Sequence, residues 1–331
     1  MDNVVLICSS RDRNIPKKEN IGGINVIRIH ANGINNQICG IVNKARDKLD
    51  WADLLIENIM SVPLFTPIWT RNSLPIIAVK HHLQNNMYLN HGLFKGGIGL
   101  LLERIAFPTV YYNTPIVVNS SHTRHCLKKM TFSKWSNIYV VNPGVEYIPI
   151  NAPKYNIPTI SFVGHLNTDR KKVDHLIQAF RMVVKKVSDA RLIIAGDGPD
   201  KKSLMKSAKD IPVKFVGYVC DKKKHEIMER SWSFASPSIK EGFGMTWVEA
   251  NRHGLPVVGY DLGLQTVNES CSIMVSPGNI HALSDAMIKL LRDTSLRSSM
   301  STAARKNASR FSWKSSSNKF REIAKGVVDS H

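Results

Sequence analysis

Short β-branched runs punctuate the first half of the chain at 4–7, 26–29, 54–56, 76–79, 116–118 and 138–141, and longer, more polar stretches separate most of them. The second half repeats the scheme with clearer spacing. A run at 160–163 is followed by Val173, Leu176, Ile177, Phe180, Val183, Val184 and Val187, which fall on one helical face at i, i+3, i+4 and i+7 intervals. Further runs at 192–195, 213–216, 234–235 and 257–260 continue the alternation. Strands that alternate with amphipathic helices predict parallel sheets covered by helices on both faces, an α/β architecture.

The alternation is interrupted once. Pro143, Pro149, Pro153 and Pro158 crowd one short segment. Proline removes a backbone donor and turns the residue before it away from helix. This predicts a linker over 142–157 between an α/β domain at 1–141 and another at 158–310, with a C-terminal helix over 311–331 expected to pack back on the first domain. Sheets of this kind take ligands at the carboxyl ends of their strands, and two such domains facing each other form a cleft.

Composition narrows the classes. At 331 residues, 43 % hydrophobic and 21 % charged, the chain is long enough for two folded domains. The five cysteines are far apart and form no Cys-x-x-Cys pair, so neither a disulfide framework nor a zinc site is suggested, and the reducing cytoplasm is the expected setting. The start of the chain lacks the basic and long apolar regions of a signal peptide, and no window approaches the ~18 uninterrupted apolar residues of a spanning helix. A net charge of +19 points to anionic partners such as nucleic acid, anionic lipid or phosphorylated substrates. The surplus is spread over both halves without a basic tail, which reads as a solvated surface, and no specific nucleic acid is expected.

One stretch carries most of the chemistry. After the strand ending at Ala235, Pro237 and Ser238 open a loop. Gly242 and Gly244 bracket Phe243, a helix is predicted from Met245 or Thr246 to a stop at Gly254, and Pro256 opens the next strand. A glycine-rich loop entering a helix N-terminus presents free N–H groups and the positive end of the helix dipole, a setting for phosphate. Glu241 in the loop and Glu249 on the helix could both reach a bound ligand, and carboxylates suit sugar hydroxyls. A plainer reading stays open: Thr246 and Glu249 also fit a capping box, and Glu241 could be a surface acid.

Glu241 and Glu249, with seven residues between them and Gly242-Phe243-Gly244 after the first, resemble the Glu-x7-Glu signature of family 4 retaining glycosyltransferases. Other stretches agree in order: Phe162 to Leu166, Lys171 to Phe180, Leu192 to Pro199, Phe215 to Gly217, and Phe311 with Trp313 at the start of a final helix. The resemblance covers residues 142–325, with a weaker extension over 50–141. It implies the GT-B arrangement of two facing Rossmann-like domains, the donor nucleotide being held by the second. It further implies that Glu241 meets hydroxyls of the transferred sugar and Glu249 the ribose. Gly242, Phe243, Gly244, Met245 and Thr246 would cradle the diphosphate, with Gly164 and His165 on the donor side. The family's cationic pair falls on His165 and Lys171, so the arginine of the pattern is replaced. Arg170, one place before Lys171, is expected to join Lys171 in neutralising the leaving diphosphate. In the first domain, His81 at a strand end resembles a family histidine near the reacting sugar, with His82 as the alternative, and 117–123 resembles a later strand end that lines the cleft.

The implied reaction is transfer of a hexose from a nucleotide diphosphate sugar to a glycan or lipid-linked acceptor, with retention and by front-face attack. No cofactor beyond the donor and no metal is expected, since the chain has no Asp-x-Asp motif. Peripheral contact with the anionic inner face of a membrane is expected from the basic charge. Rival readings are a GT-B nucleotide-sugar epimerase or glycan phosphorylase, an inactive nucleotide-sugar-binding partner subunit, and a nucleic-acid binder. Family members open with a strand, a glycine-rich loop and a long helix. Here the chain begins at a strand resembling their second one, with Gly22-Gly23 as a weak substitute for the loop. The expectation is a first domain truncated at its N-terminus, with either a start upstream of Met1 or a less stable first domain.

Overall fold

The computed structural model describes residues 3–10, 12–60, 62–83, 88, 92–130 and 137–331. Contacts divide the chain into two units. The first comprises 1–117, 127–139 and 321–331, and the second 118–126 and 140–320. The proline-rich segment is counted with the second unit and is tied to it by backbone bonds: Val145 N–H donates to Phe311 O, and Tyr155 N–H to Arg230 O. The helix Trp313–Asp329 begins in the second unit and is counted with the first from residue 321.

The first unit holds two sheets. β1 (Val5–Ser10), β2 (Lys18–Ile21) and β3 (Ile24–His30) are ordered β1-β3-β2, with β1 parallel and β2 antiparallel to β3. Strand β2 is a polar run that periodicity does not reveal. Gly22 and Gly23 make the two-residue turn of the β2–β3 hairpin, a position that needs glycine to reverse the chain tightly, and so they are no phosphate loop. β4 (Leu55–Ile59), β5 (Ile76–Lys80), β6 (Ile116–Val118) and β7 (Ile138–Val140) form a four-stranded sheet in that order. No ladder joins the two sheets among the described residues.

The second unit is one parallel sheet of six strands. β8 (Thr159–Val163), β9 (Arg191–Ala195), β10 (Val213–Gly217), β11 (Ser233–Ser236), β12 (Val257–Tyr260) and β13 (Ser272–Val275) are ordered β10-β9-β8-β11-β12-β13. From β8 the chain winds outward through β9 and β10. It then returns to β11 on the other side and winds outward through β12 and β13. The order reverses between β8 and β11, the place where loops leave in opposite directions and open a crevice. The helix Val173–Lys186 buries Val173, Leu176, Ile177, Phe180 and Val183, the stripe that the sequence spacing predicts, against the sheet and the helix Ile280–Arg292. β13 is a finding beyond the sequence reading, since it opens on Ser272 and its apolar run is only three residues long.

Candidate functional site

The loops after β8 and β9, on one side of the switch point, are fixed against each other by backbone geometry. After β8, Gly164 N–H donates to Ala195 O at 3.0 Å, and Gly196 N–H after β9 donates to Gly217 O at 2.7 Å. Gly196 has φ 145°, and a Cβ there would lie 1.8 Å from the Gly164 carbonyl oxygen. Only glycine lets these two loops run so close. His165 follows on this loop and is exposed. Asn167 then caps the short helix Thr168–Lys171 by accepting from Arg170 N–H at 3.0 Å, which places Lys171 at its end, buried. Arg170 is half-buried, and its carbonyl accepts from Ile239 N–H on the loop after β11.

That loop carries Glu241. Lys171 Nζ lies 2.5 Å from Glu241 Oε1, and both side chains are 11 % exposed. The sequence places these residues on different loops 70 positions apart, and the switch point brings them into one ion pair. The loop behind them is anchored on both sides. Phe243 is buried edge-on against Phe311 among Val145 and Val248, and Ser120 Oγ donates to the Gly242 carbonyl at 2.7 Å.

Gly244 is the N-cap of the helix Met245–Arg252, with φ 87° and no side-chain cap. A left-handed residue at this position explains the second glycine of Gly242-Phe243-Gly244 and leaves the first N–H groups of the helix without a side-chain acceptor. The capping-box reading is overturned. Glu249 does not reach back to the helix start. Its Oε1 accepts instead from Lys224 Nζ at 2.9 Å, and Lys224 stands on the neighbouring helix Asp221–Arg230. The helix ends where the sequence indicates, with Gly254 N–H and Leu255 N–H closing on Asn251 O and Ala250 O.

Sequence reasoning missed Lys224. It is the last of three consecutive lysines, Lys222-Lys223-Lys224, and no motif singles it out. It also missed a buried chain beside it. His225 Nδ1 lies 2.6 Å from His253 Nε2, and His253 Nδ1 lies 2.6 Å from Glu229 Oε2. Burial lowers the pKa of both histidines. The only signal in the sequence was His253 just before the helix-stopping Gly254.

In the first unit His81 follows β5, half-buried, with Nε2 3.0 Å from Asn58 Oδ1 at the end of β4. Burial first, and then the charge of Lys80, lowers its pKa, so the ring is neutral at pH 7. His82 is half-buried beside it. Lys80 itself is buried 3.5 Å from Glu103 and over the Phe107 ring. Glu57 is buried under four donors: Leu64 N–H, Thr66 N–H, Thr66 Oγ1 and the Tyr111 hydroxyl at 2.6 Å. These buried ionic groups also escaped the sequence reading: Tyr111 stands 54 residues from Glu57, and Glu103 lies well beyond the strand that carries Lys80. Among the described residues no group of three or more His, Cys, Asp or Glu is placed to hold a metal ion, and no helix is long and apolar enough to cross a membrane.

With this geometry in hand, comparison with known proteins gives a consistent answer. Residues 157–293 match the family described as glycosyl transferases group 1. Poly(glycerol-phosphate) alpha-glucosyltransferase of Bacillus subtilis is 30 % identical over 179 residues, which is 52 % of this chain and 26 % of that protein. Phosphatidyl-myo-inositol mannosyltransferase of Mycobacterium leprae is 32 % identical over 161 residues, 47 % of this chain and 43 % of that one. The chain thus spans less than half the length of these curated relatives. Among solved structures, sucrose-phosphate synthase from Thermosynechococcus elongatus superposes with a TM-score of 0.80 at 19 % identity, covering 99 % of this chain and 90 % of that one. Anabaena HepE in complex with UDP and glucose gives a TM-score of 0.71 at 17 % identity, covering 92 % and 86 %. The chain has the GT-B type of fold, with two Rossmann-like units, and over residues 157–293 it is similar to the glycosyl transferases group 1 family.

Proposed function

We propose that this protein is a metal-independent, retaining glycosyltransferase that moves a hexose from a nucleotide diphosphate sugar to a glycan or lipid-linked acceptor. The observation that carries the reading is the Lys171–Glu241 pair at the switch point of the second sheet, beside the glycine-led N-terminus of the helix bearing Glu249. The roles follow from charge. The diphosphate sits against the N–H groups of Phe243 to Thr246, where the helix dipole favours anions. Lys171 has three N–H donors and uses one on Glu241, so two are left for a phosphate oxygen as negative charge grows on the leaving group. Arg170 adds positive charge one residue away. Glu241, paired with Lys171, accepts from hydroxyls of the transferred sugar and fixes its anomeric carbon over the leaving oxygen. The acceptor hydroxyl attacks from the same face, and the departing phosphate takes its proton, so no protein nucleophile is needed. His81, neutral at pH 7 on the first unit, is suited to hydrogen-bonding a sugar hydroxyl.

The replacement of an arginine by the exposed His165 favours a second reading, a subunit that binds nucleotide sugar without turnover. One experiment serves both. The full chain is screened by thermal shift against UDP-, GDP- and ADP-sugars, and the stabilising donor is then followed for release of its nucleoside diphosphate. Stabilisation with turnover supports the transferase, stabilisation without turnover supports the second reading, and no stabilisation by any donor contradicts both.

Membrane contact is part of the proposal. On the helical stretch that starts at Leu93, Phe94, Ile98, Leu101 and Ile105 are exposed at i, i+4, i+7 and i+11, with Phe94 82 % exposed. Lys95 and Arg104 are exposed alongside, and Glu103, the only acid from Gly92 to Tyr112, is buried against Lys80. An apolar face flanked only by cations suits the surface of an anionic bilayer. Flotation with anionic vesicles is expected to be lost in Phe94→Asp/Leu101→Asp and weakened by high salt. Absence of wild-type flotation at low salt would contradict it.

A further inference from the structure

Two helices of the second unit are cross-linked twice on adjacent turns. Asp221–Arg230 supplies Lys224 and His225, and Met245–Arg252 supplies Glu249, with His253 directly after it. Lys224 Nζ lies 2.9 Å from Glu249 Oε1 and 3.0 Å from Asp221 Oδ1. Asp221 is mostly exposed, whereas the Lys224 and Glu249 side chains are 18 % and 13 % exposed. The inner partner of Lys224 is therefore Glu249. Beneath it, His225 is 2 % exposed and His253 fully buried.

The histidine chain has one consistent proton arrangement. The Glu229 carboxylate only accepts, so His253 carries its proton on Nδ1. With both rings neutral, His253 Nε2 then accepts from His225 Nδ1–H, and both nitrogens of His253 are paired. A shift of either helix would leave the buried His253 unpaired, which resists it. The histidine chain fixes the two helices against each other one residue from Lys224 and four from Glu249.

We propose that Lys224 is a positioning residue of the donor site: it binds one carboxylate oxygen of Glu249 and so presents the other to the ribose hydroxyls of a nucleoside diphosphate. The proposal rests on the donor-site reading above and adds a residue to it. Among the described residues Glu249 Oε2 has no hydrogen bond, which leaves an acceptor for a diol. The lysine also solves an electrostatic difficulty. A carboxylate near a diphosphate is repelled by it, and a mostly buried one is costly without a counter-ion. Lys224 supplies that counter-ion, so each glutamate of the Glu-x7-Glu pattern has its own lysine.

The test measures calorimetric affinity of the full-length protein for UDP and 2′-deoxy-UDP, with GDP and ADP and their 2′-deoxy forms as further probes. Wild type is expected to favour the ribose form by about tenfold or more, the range of a charged hydrogen bond. Lys224→Gln is expected to weaken the ribose form about tenfold and to reduce the preference to within about threefold. Lys224→Arg is expected to restore most of the preference. Thermal melts of each variant without ligand confirm that the fold is kept. If Lys224→Gln keeps wild-type affinity and preference while Glu249→Ala loses both, the positioning role is overturned and the donor site stands. If Lys224→Gln weakens ribose and deoxyribose forms equally, Lys224 is only a source of charge and the proposal is also overturned. If Glu249→Ala binds like wild type, or no probe binds, the donor-site reading itself fails.

Discussion

Every residue of β11 and β12 in the second unit is buried, whereas β1 of the first unit buries none. The helix Ile34–Arg46 beside β1 likewise has no buried residue, while Val173–Lys186 buries six. The difference lies in cover. A parallel sheet with helices on both faces turns its strands into continuous apolar runs, and its strand ends become fixed points in space. Polar groups on the loops at those ends can then be held within hydrogen-bond distance of one another, as Lys171 and Glu241 are. The first unit places its buried ionic groups differently. Glu57 and Lys80 lie within strands β4 and β5 and are spent on internal partners, Tyr111 and Glu103.

The largest effect expected from this contrast is on stability. Phe180→Ala opens a cavity in the second unit's core and should lower the free energy of unfolding by about 3–5 kcal/mol. Leu6→Ala on β1, where the side chain is half in water, should cost less than about 1 kcal/mol. Denaturant titration of both variants checks this, and equal costs would break the contrast. A second consequence concerns local opening. Trypsin should cut within 12–60 before it cuts within 158–310, because few buried contacts hold the first segment. Mass spectrometry of early fragments reads the order, and prior cleavage in the second unit would reverse the comparison.

The smallest effect is in pH. His225 is kept neutral by burial, then by His253 and Lys224, against Glu249 and Asp221. His253 is kept neutral by burial, with Lys154 and Arg305 in the same sense and Glu229 against. Both folded pKa values are therefore below the ordinary imidazole value of about 6.5. As the pH falls through that value the unfolded chain binds protons that the folded chain refuses, so stability declines. The melting temperature should drop between about pH 7.5 and 5.5, and His253→Asn should flatten the slope. An unchanged slope in that variant would place the titration elsewhere.

Much of the second unit was legible in the sequence, because its strands are short apolar runs and its main helix carries a complete 3.6-residue stripe. The glycine positions around Phe243 and the stop at Gly254 were legible for the same reason: local backbone conformation needs particular residues. What escaped were the pairings. Strand β2, with the sequence Lys18-Glu19-Asn20-Ile21, has no apolar signature and is defined only by its partner β3. The capping-box pattern at Thr246 and Glu249 is satisfied in sequence but not in space, since Gly244 starts the helix and Lys224 takes the carboxylate. Lys80 with Glu103, and His225 with His253, are likewise long-range matches that no single window contains.

The central claim is that the two glutamates do different work at one donor site, and steady-state kinetics with the stabilising donor tests it most directly. Glu241→Gln should lower kcat by about 10–100-fold with little change in donor KM, because it touches the transferred sugar. Glu249→Ala should raise donor KM by a similar factor with a smaller change in kcat, because it touches the nucleotide. Wild-type kinetics in both variants would contradict the account.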